Sequence, residues 1–171
     1  ETLDHWSFCD GIIVVDDEST DNTYEICCSH PKVLKVLRVK YNPNREFAET
    51  FNRKIALEIA QEYNPDWLCC FDADERLYDF SLEDLKGDAV SCKLYDVYIT
   101  PEDIDKPYQE REMVGEEFRE IVFFYKNTPF LKYSKLDQRQ ADIHTNSEIT
   151  HKGIVKHYGK GLSVEHWEET C

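Results

Sequence analysis

Two pairs of carboxylates stand where apolar runs end. Asp72 and Asp74, in Asp72-Ala73-Asp74-Glu75, follow Trp67-Leu68-Cys69-Cys70-Phe71, and Asp16-Asp17 follow Ile12-Ile13-Val14-Val15. A strand ending in carboxylates sets hard oxygen ligands at the open edge of a sheet, where Mn2+ or Mg2+ binds and can hold a diphosphate. In an extended chain residues i and i+2 point to the same side, so Asp72 and Asp74 can face one ligand while Ala73 leaves room. One carboxylate would ligate the metal and the other accept a hydrogen bond from a sugar hydroxyl. At the other strand end, Asp16 or Asp17 would accept the imide N–H of uracil or a base amine. Two strands that end alike suggest one shared site.

Plainer readings exist for both. A solvated acidic turn would explain Asp72 to Glu75, and turn and cap chemistry would explain Asp16-Asp17. The apolar run before each pair favours a site. An EF-hand does not fit, because the sixth position from Asp72 is Leu77 rather than Gly.

The elements that must position these groups follow from periodicity. Gly11 to Asp17 reads as a strand buried on both faces, since its apolar run is continuous and β-branched. Asn22 with Glu25 fits a capping box for a short helix that Pro31 stops. Val33 to Val39 alternates as a strand. Glu46 to Tyr63 is the clearest helix, with Phe47, Phe51, Ile55 and Ile59 recurring every four residues and Ala48, Ala56 and Ala60 beside them on one apolar face. Trp67 to Asp72 is the next buried strand. This order of strand, helix, strand, helix, strand predicts a mostly parallel sheet with crossover helices.

Beyond Glu75 the pattern changes. Ser81 caps a short helix candidate, and Ala89 to Ile99 reads as a strand. Thr100 to Glu116 is a polar excursion, and Glu120 to Tyr125 with Phe130 to Tyr133 reads as a hairpin. Gly153 to Tyr158 is a last strand. The second half therefore reads as antiparallel additions to the sheet edge. One domain is the simplest organisation, with residues 1–75 as a nucleotide-binding half and 76–171 as an acceptor-side half.

Composition narrows the function classes. A formal net charge of -15 argues against a nucleic-acid or anionic-membrane surface. No stretch approaches the roughly 20 apolar residues of a membrane span. The seven Cys include the adjacent pairs Cys27-Cys28 and Cys69-Cys70 and no C-x-x-C spacing. They read as reduced, buried, small apolar residues of a cytoplasmic protein.

At these residues the chain resembles the family 2 glycosyltransferases, which have the GT-A fold. The resemblance is carried by IIVVDDESTDNT (Ile12 to Thr23), by DWLCCFDADERL (Asp66 to Leu77) and by IVKHYG (Ile154 to Gly159). It implies a GT-A-like, Rossmann-like α/β fold. It also implies base contact at Asp17, ribose contact at Asp72 and metal ligation at Asp74, with His157 as a further metal ligand. Arg119 and His144 stand where some members carry acceptor-side or phosphate contacts. Family members normally begin with a strand carrying a Pro-x-Tyr-Asn-like segment. Here Thr2 to Trp6 reads as the helix that would follow it, so the first strand is read as missing. Members often carry Ala-Arg-Asn before the second motif, where this chain has Thr50-Phe51-Asn52-Arg53.

The function expected is metal-dependent sugar transfer, with inversion, from a nucleotide sugar to a glycan or lipid-linked acceptor. UDP is the default nucleotide because the family uses it often. Inversion needs a carboxylate base on the acceptor hydroxyl. Glu116, Glu117, Asp137 and Asp142 are candidates, with Asp142 placed first and Asp137 second. Two rivals are a phosphatase of the haloacid-dehalogenase type and a non-catalytic nucleotide- or sugar-binding module of the same fold.

Overall fold

A computed structural model describes residues 1–107, 110–135 and 138–161. The described residues gather into two compact units, one of residues 1–70 with 126–145 and one of residues 71–125 with 146–161.

The first unit contains a strand–helix–strand motif. Strands β1 (Ile12–Asp17) and β2 (Val33–Val39) pair in parallel, with α2 (Thr23–Ser29) between them in sequence. A parallel pair needs such a crossover, because a tight hairpin cannot reverse the chain twice. Ile12 to Val15 are half-buried rather than enclosed on both faces as expected. Among the described residues β2 is the only strand paired with β1. A short α1 (Thr2–His5) precedes them and leads into Trp6, which is buried. The long α3 (Arg45–Glu62) starts at Asn44, whose side chain accepts from the Phe47 amide at 3.2 Å. Its buried positions are Ala48, Thr50 and Ile59, whereas Phe47 and Phe51 are exposed and stack on each other at 5.9 Å. Of the predicted face, Ala48 and Ile59 are buried as expected, while the N-terminal rings of Phe47 and Phe51 lie outside the buried stripe. Strand β3 (Trp67–Cys69) is shorter than expected and buries only Leu68.

In the second unit the sheet runs in the order β6 (Val114–Lys126), β5 (Ala89–Val97), β7 (Ile149–His157), β4 (Glu75–Tyr78). Strand β5 pairs antiparallel with β6 and parallel with β7, and β4 pairs antiparallel with β7. The sheet is thus mixed. Its core gathers Val90, Val97, Phe123 and Val155, each 0% exposed. Phe71 stacks on Phe123 and Phe80 on Phe124, both at 4.5 Å between ring centres. The rings on either side of β4 are thereby clamped to β6.

Strand β7 carries a bulge. Ser91 pairs with His151 but Lys93 with Ile154, so Lys152 and Gly153 together face Cys92. Gly153 takes a φ of 93°, a conformation that side chains with a Cβ rarely adopt.

Two expectations for the second half are corrected. Strand β6 starts at Val114, inside the segment read as a polar excursion. The partner strand expected at Phe130 to Tyr133 does not form, and only Lys132 makes an isolated bridge, to Asp142. Leu131 and Tyr133 are buried while Phe130 is 80% exposed, so this stretch anchors through side chains rather than through a ladder.

Phe123 fills the centre of the second core, so Phe123→Ala removes a ring that nothing nearby can replace. The expected loss is about 3–5 kcal/mol, read from urea unfolding followed by tryptophan fluorescence and circular dichroism. An unchanged unfolding midpoint would contradict this packing.

Candidate active site

The acidic tetrapeptide is not the end of a strand. It is the turn that leads into β4. The Glu75 amide donates to the Asp72 carbonyl at 3.1 Å, and the Asp72 amide donates to Glu75 Oε2 at 2.8 Å. Glu75 is 1% exposed and Arg76 3% exposed. Arg76 Nη1 donates to the carbonyls of Ala73 and Glu75 at 2.9 and 2.8 Å. A buried guanidinium and a buried carboxylate thus tie the turn's backbone from within, satisfying groups that would otherwise be costly to enclose. Asp72 and Asp74 are left half-buried on it. The extended geometry expected for the pair is replaced by this turn, because β3 ends at Cys69 and a new strand begins at Glu75.

Register then brings His157 to Asp74. Glu75 pairs with His157 across β4 and β7, and the Tyr158 amide donates to the Asp74 carbonyl at 2.9 Å. His157 Nε2 lies 3.3 Å from Asp74 Oδ2. On its other side β7 pairs with β5, where Asp96 stands opposite His157. The second ring nitrogen, Nδ1, lies 2.7 Å from Asp96 Oδ1. That same oxygen accepts from Arg119 Nη2 at 3.0 Å.

The imidazole is held as a cation between these two carboxylates. The hydrogen bond to Asp74, then that to Asp96, outweighs burial and pushes the His157 pKa up to about 10. For Asp74, burial raises the pKa, but the hydrogen bond and charge of His157 prevail, so its carboxyl sits below the usual value.

Gly159 completes this corner. A Cβ there would stand 2.8 Å from Asp74 Oδ2 and 2.9 Å from His157 Nε2. The missing side chain leaves clear a point nearly equidistant from both atoms. The oxygen and nitrogen donors suit a divalent cation. Among the described residues no three His, Cys, Asp or Glu side chains form a ready cation cluster. Two protein ligands would leave the other positions of a divalent cation to water and substrate phosphate.

The first unit holds the other predicted carboxylates. Asp16 is 3% exposed and turned to its own loop. Its Oδ1 accepts from the Ser19 amide at 3.1 Å, and Arg38 Nε lies 3.4 Å from its Oδ2. Arg38 also donates to the Ser19 carbonyl at 2.6 Å, and Glu18 takes a φ of 58°. Asp17 is exposed at the strand end. Asp21, through its bond from the Thr23 amide at 2.9 Å, opens α2. Asp142 is half-buried, and Gln138 Nε2 donates to its Oδ1 at 2.7 Å. Burial raises its pKa, but hydrogen bonds from Ser134 and Gln138 win and keep it ionised. Asp137 lies outside the described residues. Glu116 and Glu117 are exposed on β6, and His144 is exposed.

Among the described residues the cysteines form no disulfide, as expected; Cys27 and Cys92 are buried, whereas Cys9, Cys69 and Cys70 are only half-buried and Cys28 is exposed. No described helix is long and apolar enough to cross a membrane.

Sequence reading missed Asp96 and Gly159. Asp96 sits inside a strand pattern and carries no local signal. Gly159 had one, the glycine directly after His157-Tyr158.

The chain matches the family described as glycosyl transferase family 2 over residues 10–151. Uncharacterized proteins of Mycobacterium bovis and Mycobacterium tuberculosis are each 38% identical to it over 77 residues. That alignment covers 43% of this chain and 19% of each relative, so the chain spans about a fifth of their length.

The charge state of His157 makes stability depend on pH. Its folded pKa of about 10 lies above the ordinary 6.5. Its contribution is therefore complete below about pH 6.5 and is lost as pH rises through about 10. In chelator-treated protein, the gap in melting temperature between the native chain and His157→Gln is expected to shrink steadily across that window. A gap that stays constant would show that the imidazole is not held as a cation.

Proposed function

The chain belongs to the family 2 glycosyltransferases, with their GT-A-like α/β fold, and from that premise we propose metal-dependent transfer of a sugar from a nucleotide-sugar donor to a hydroxyl acceptor. The observation that carries the metal and donor reading is the corner where Asp74 Oδ2 and His157 Nε2 stand 3.3 Å apart beside the space left by Gly159.

Asp74 and His157 hold Mn2+ or Mg2+, and a cation bound there neutralises charge that builds on the leaving diphosphate. Asp72, on the same turn, accepts from a ribose hydroxyl. Asp17 accepts from the base, and UDP is the nucleotide to test first. Asp16 shapes the loop that presents Asp17, through its bond from the Ser19 amide. The buried Glu75 and Arg76 keep the turn rigid, which fixes the ligand atoms before the donor arrives.

The reaction is a single displacement with inversion. The acceptor oxygen attacks the anomeric carbon as the bond to the diphosphate oxygen breaks, and a carboxylate takes the acceptor proton. Asp142 is the base we place first, and its ionised state suits that role. Asp137 is the second candidate. The acceptor class is a glycan or a lipid-linked sugar.

Asp74→Asn is expected to lower Mn2+-dependent sugar transfer or hydrolysis from a UDP-sugar by roughly 10²–10³-fold, the loss that follows removal of one group stabilising transition-state charge. Calorimetry should show UDP binding that depends on Mn2+ in the native chain and not in this variant. Equal Mn2+-dependent binding by both would remove Asp74 from the metal site. No transfer or hydrolysis with any nucleotide sugar, despite Mn2+-dependent binding, would leave a binding module instead of an enzyme.

Gly159→Ala tests the open corner. Its methyl would stand within 3.0 Å of both ligand atoms and force them apart, so Mn2+ affinity should fall, and the metal-free protein should melt lower as the His157–Asp74 contact loosens. Unaltered affinity would place the cation elsewhere.

A further inference from the structure

The two contacts of His157 differ in kind. Nδ1 to Asp96 Oδ1 is 2.7 Å, the length of a charge-assisted hydrogen bond. Nε2 to Asp74 Oδ2 is 3.3 Å, a longer and looser charge-assisted contact. Two ligands at right angles, each about 2.1 Å from a cation, stand about 3 Å apart. The ring is therefore pinned on the Asp96 side and spaced for a shared cation on the Asp74 side. Asp96 is itself pinned. Its Oδ1 accepts from Arg119 as well, and its side chain is only 19% exposed. Its backbone is paired directly with that of His157 in the parallel β5–β7 ladder.

We infer that Asp96 is a positioning residue for the metal ligand His157: it holds the proton on Nδ1, so that when a cation binds beside Asp74 the proton released to solvent is the one on Nε2 and that lone pair faces the cation. Arg119 keeps the Asp96 carboxylate in the orientation that does this. Carboxylate-supported histidines of this kind are a general device for fixing the tautomer and ring angle of a metal ligand. The role rests on the metal reading above but concerns a residue that touches neither donor nor cation. It also gives Arg119 a structural task beside the acceptor-side or phosphate contact that resemblance implied.

The test is Mn2+ binding to the whole chain in the presence of UDP, by calorimetry, with the native protein and two variants. Asp96→Ala removes the acceptor and should weaken Mn2+ binding by about 10–100-fold. Asp96→Asn keeps an acceptor oxygen in the same place and should restore most of that loss. An Asp96→Ala protein that binds Mn2+ within about threefold of the native chain overturns the inference. Equal losses in both variants also overturn it, because net charge and not orientation would then be the cause. Absence of Mn2+ binding by the native protein is a different result, which overturns the metal reading itself together with this role. Should Asp96→Ala not fold, the native protein decides through the long-range 15N–1H spectrum of its Zn2+-loaded form. A proton on Nδ1 of His157 supports the assignment, and a proton on Nε2 refutes it.

Discussion

The arrangement of the second unit depends on the register of β7 between its two neighbours. On one side β7 is antiparallel to β4, with Glu75 opposite His157. On the other it is parallel to β5, with Asp96 opposite His157. Side chains on a strand alternate between faces, so a slip of one residue in either ladder would send the imidazole to the other side of the sheet. What keeps the register is the apolar packing. Val155 is 0% exposed two residues before His157, and the stacked rings of Phe71, Phe123, Phe80 and Phe124 clamp the ends of β4. The polar corner is thus located by hydrophobic contacts that do not touch it.

That corner contains two sorts of carboxylate. Glu75 is enclosed and spends its oxygen on the backbone of its own turn. Asp74 and Asp96 are partly open, and each faces one nitrogen of the same ring. Burial separates structural acids from available ones. The same division holds in the first unit, where Asp16 is enclosed by its loop and Arg38 while its neighbour Asp17 is exposed. In each motif the acid beside an exposed one is part of the support.

Much of this was legible from local pattern. The β-branched run of β1, the alternation of β2 and the long α3 lie within a residue or two of expectation, because each is specified by periodicity alone. The acidic motif was visible as a residue pattern and the late His157 through the family resemblance, although the expected strand end is in fact a turn into β4. Strand β4 was not, since Glu75-Arg76-Leu77-Tyr78 opens with two charged residues that read as part of the acidic turn. Their burial becomes sensible only once the chain's own carbonyls and amides are seen to accept and donate there. Asp96 was invisible for another reason. Its meaning lies in pairing with a residue 61 positions away, and no local periodicity carries that information. The side chains of Phe47 and Phe51 misled the helix assignment of faces, because large apolar residues do not always win the buried stripe over Ala48 and Thr50.

The bulge at Lys152-Gly153 also bears on how this segment can change over time. By giving β7 one more residue than β5 across the same span, it sets the parity of every later position up to His157. A single-codon deletion downstream of it, between Ile154 and Lys156, would leave the chain's composition almost untouched yet turn the histidine away from both aspartates. Length between the bulge and His157 is accordingly under tighter restraint than the identity of the side chains that fill it.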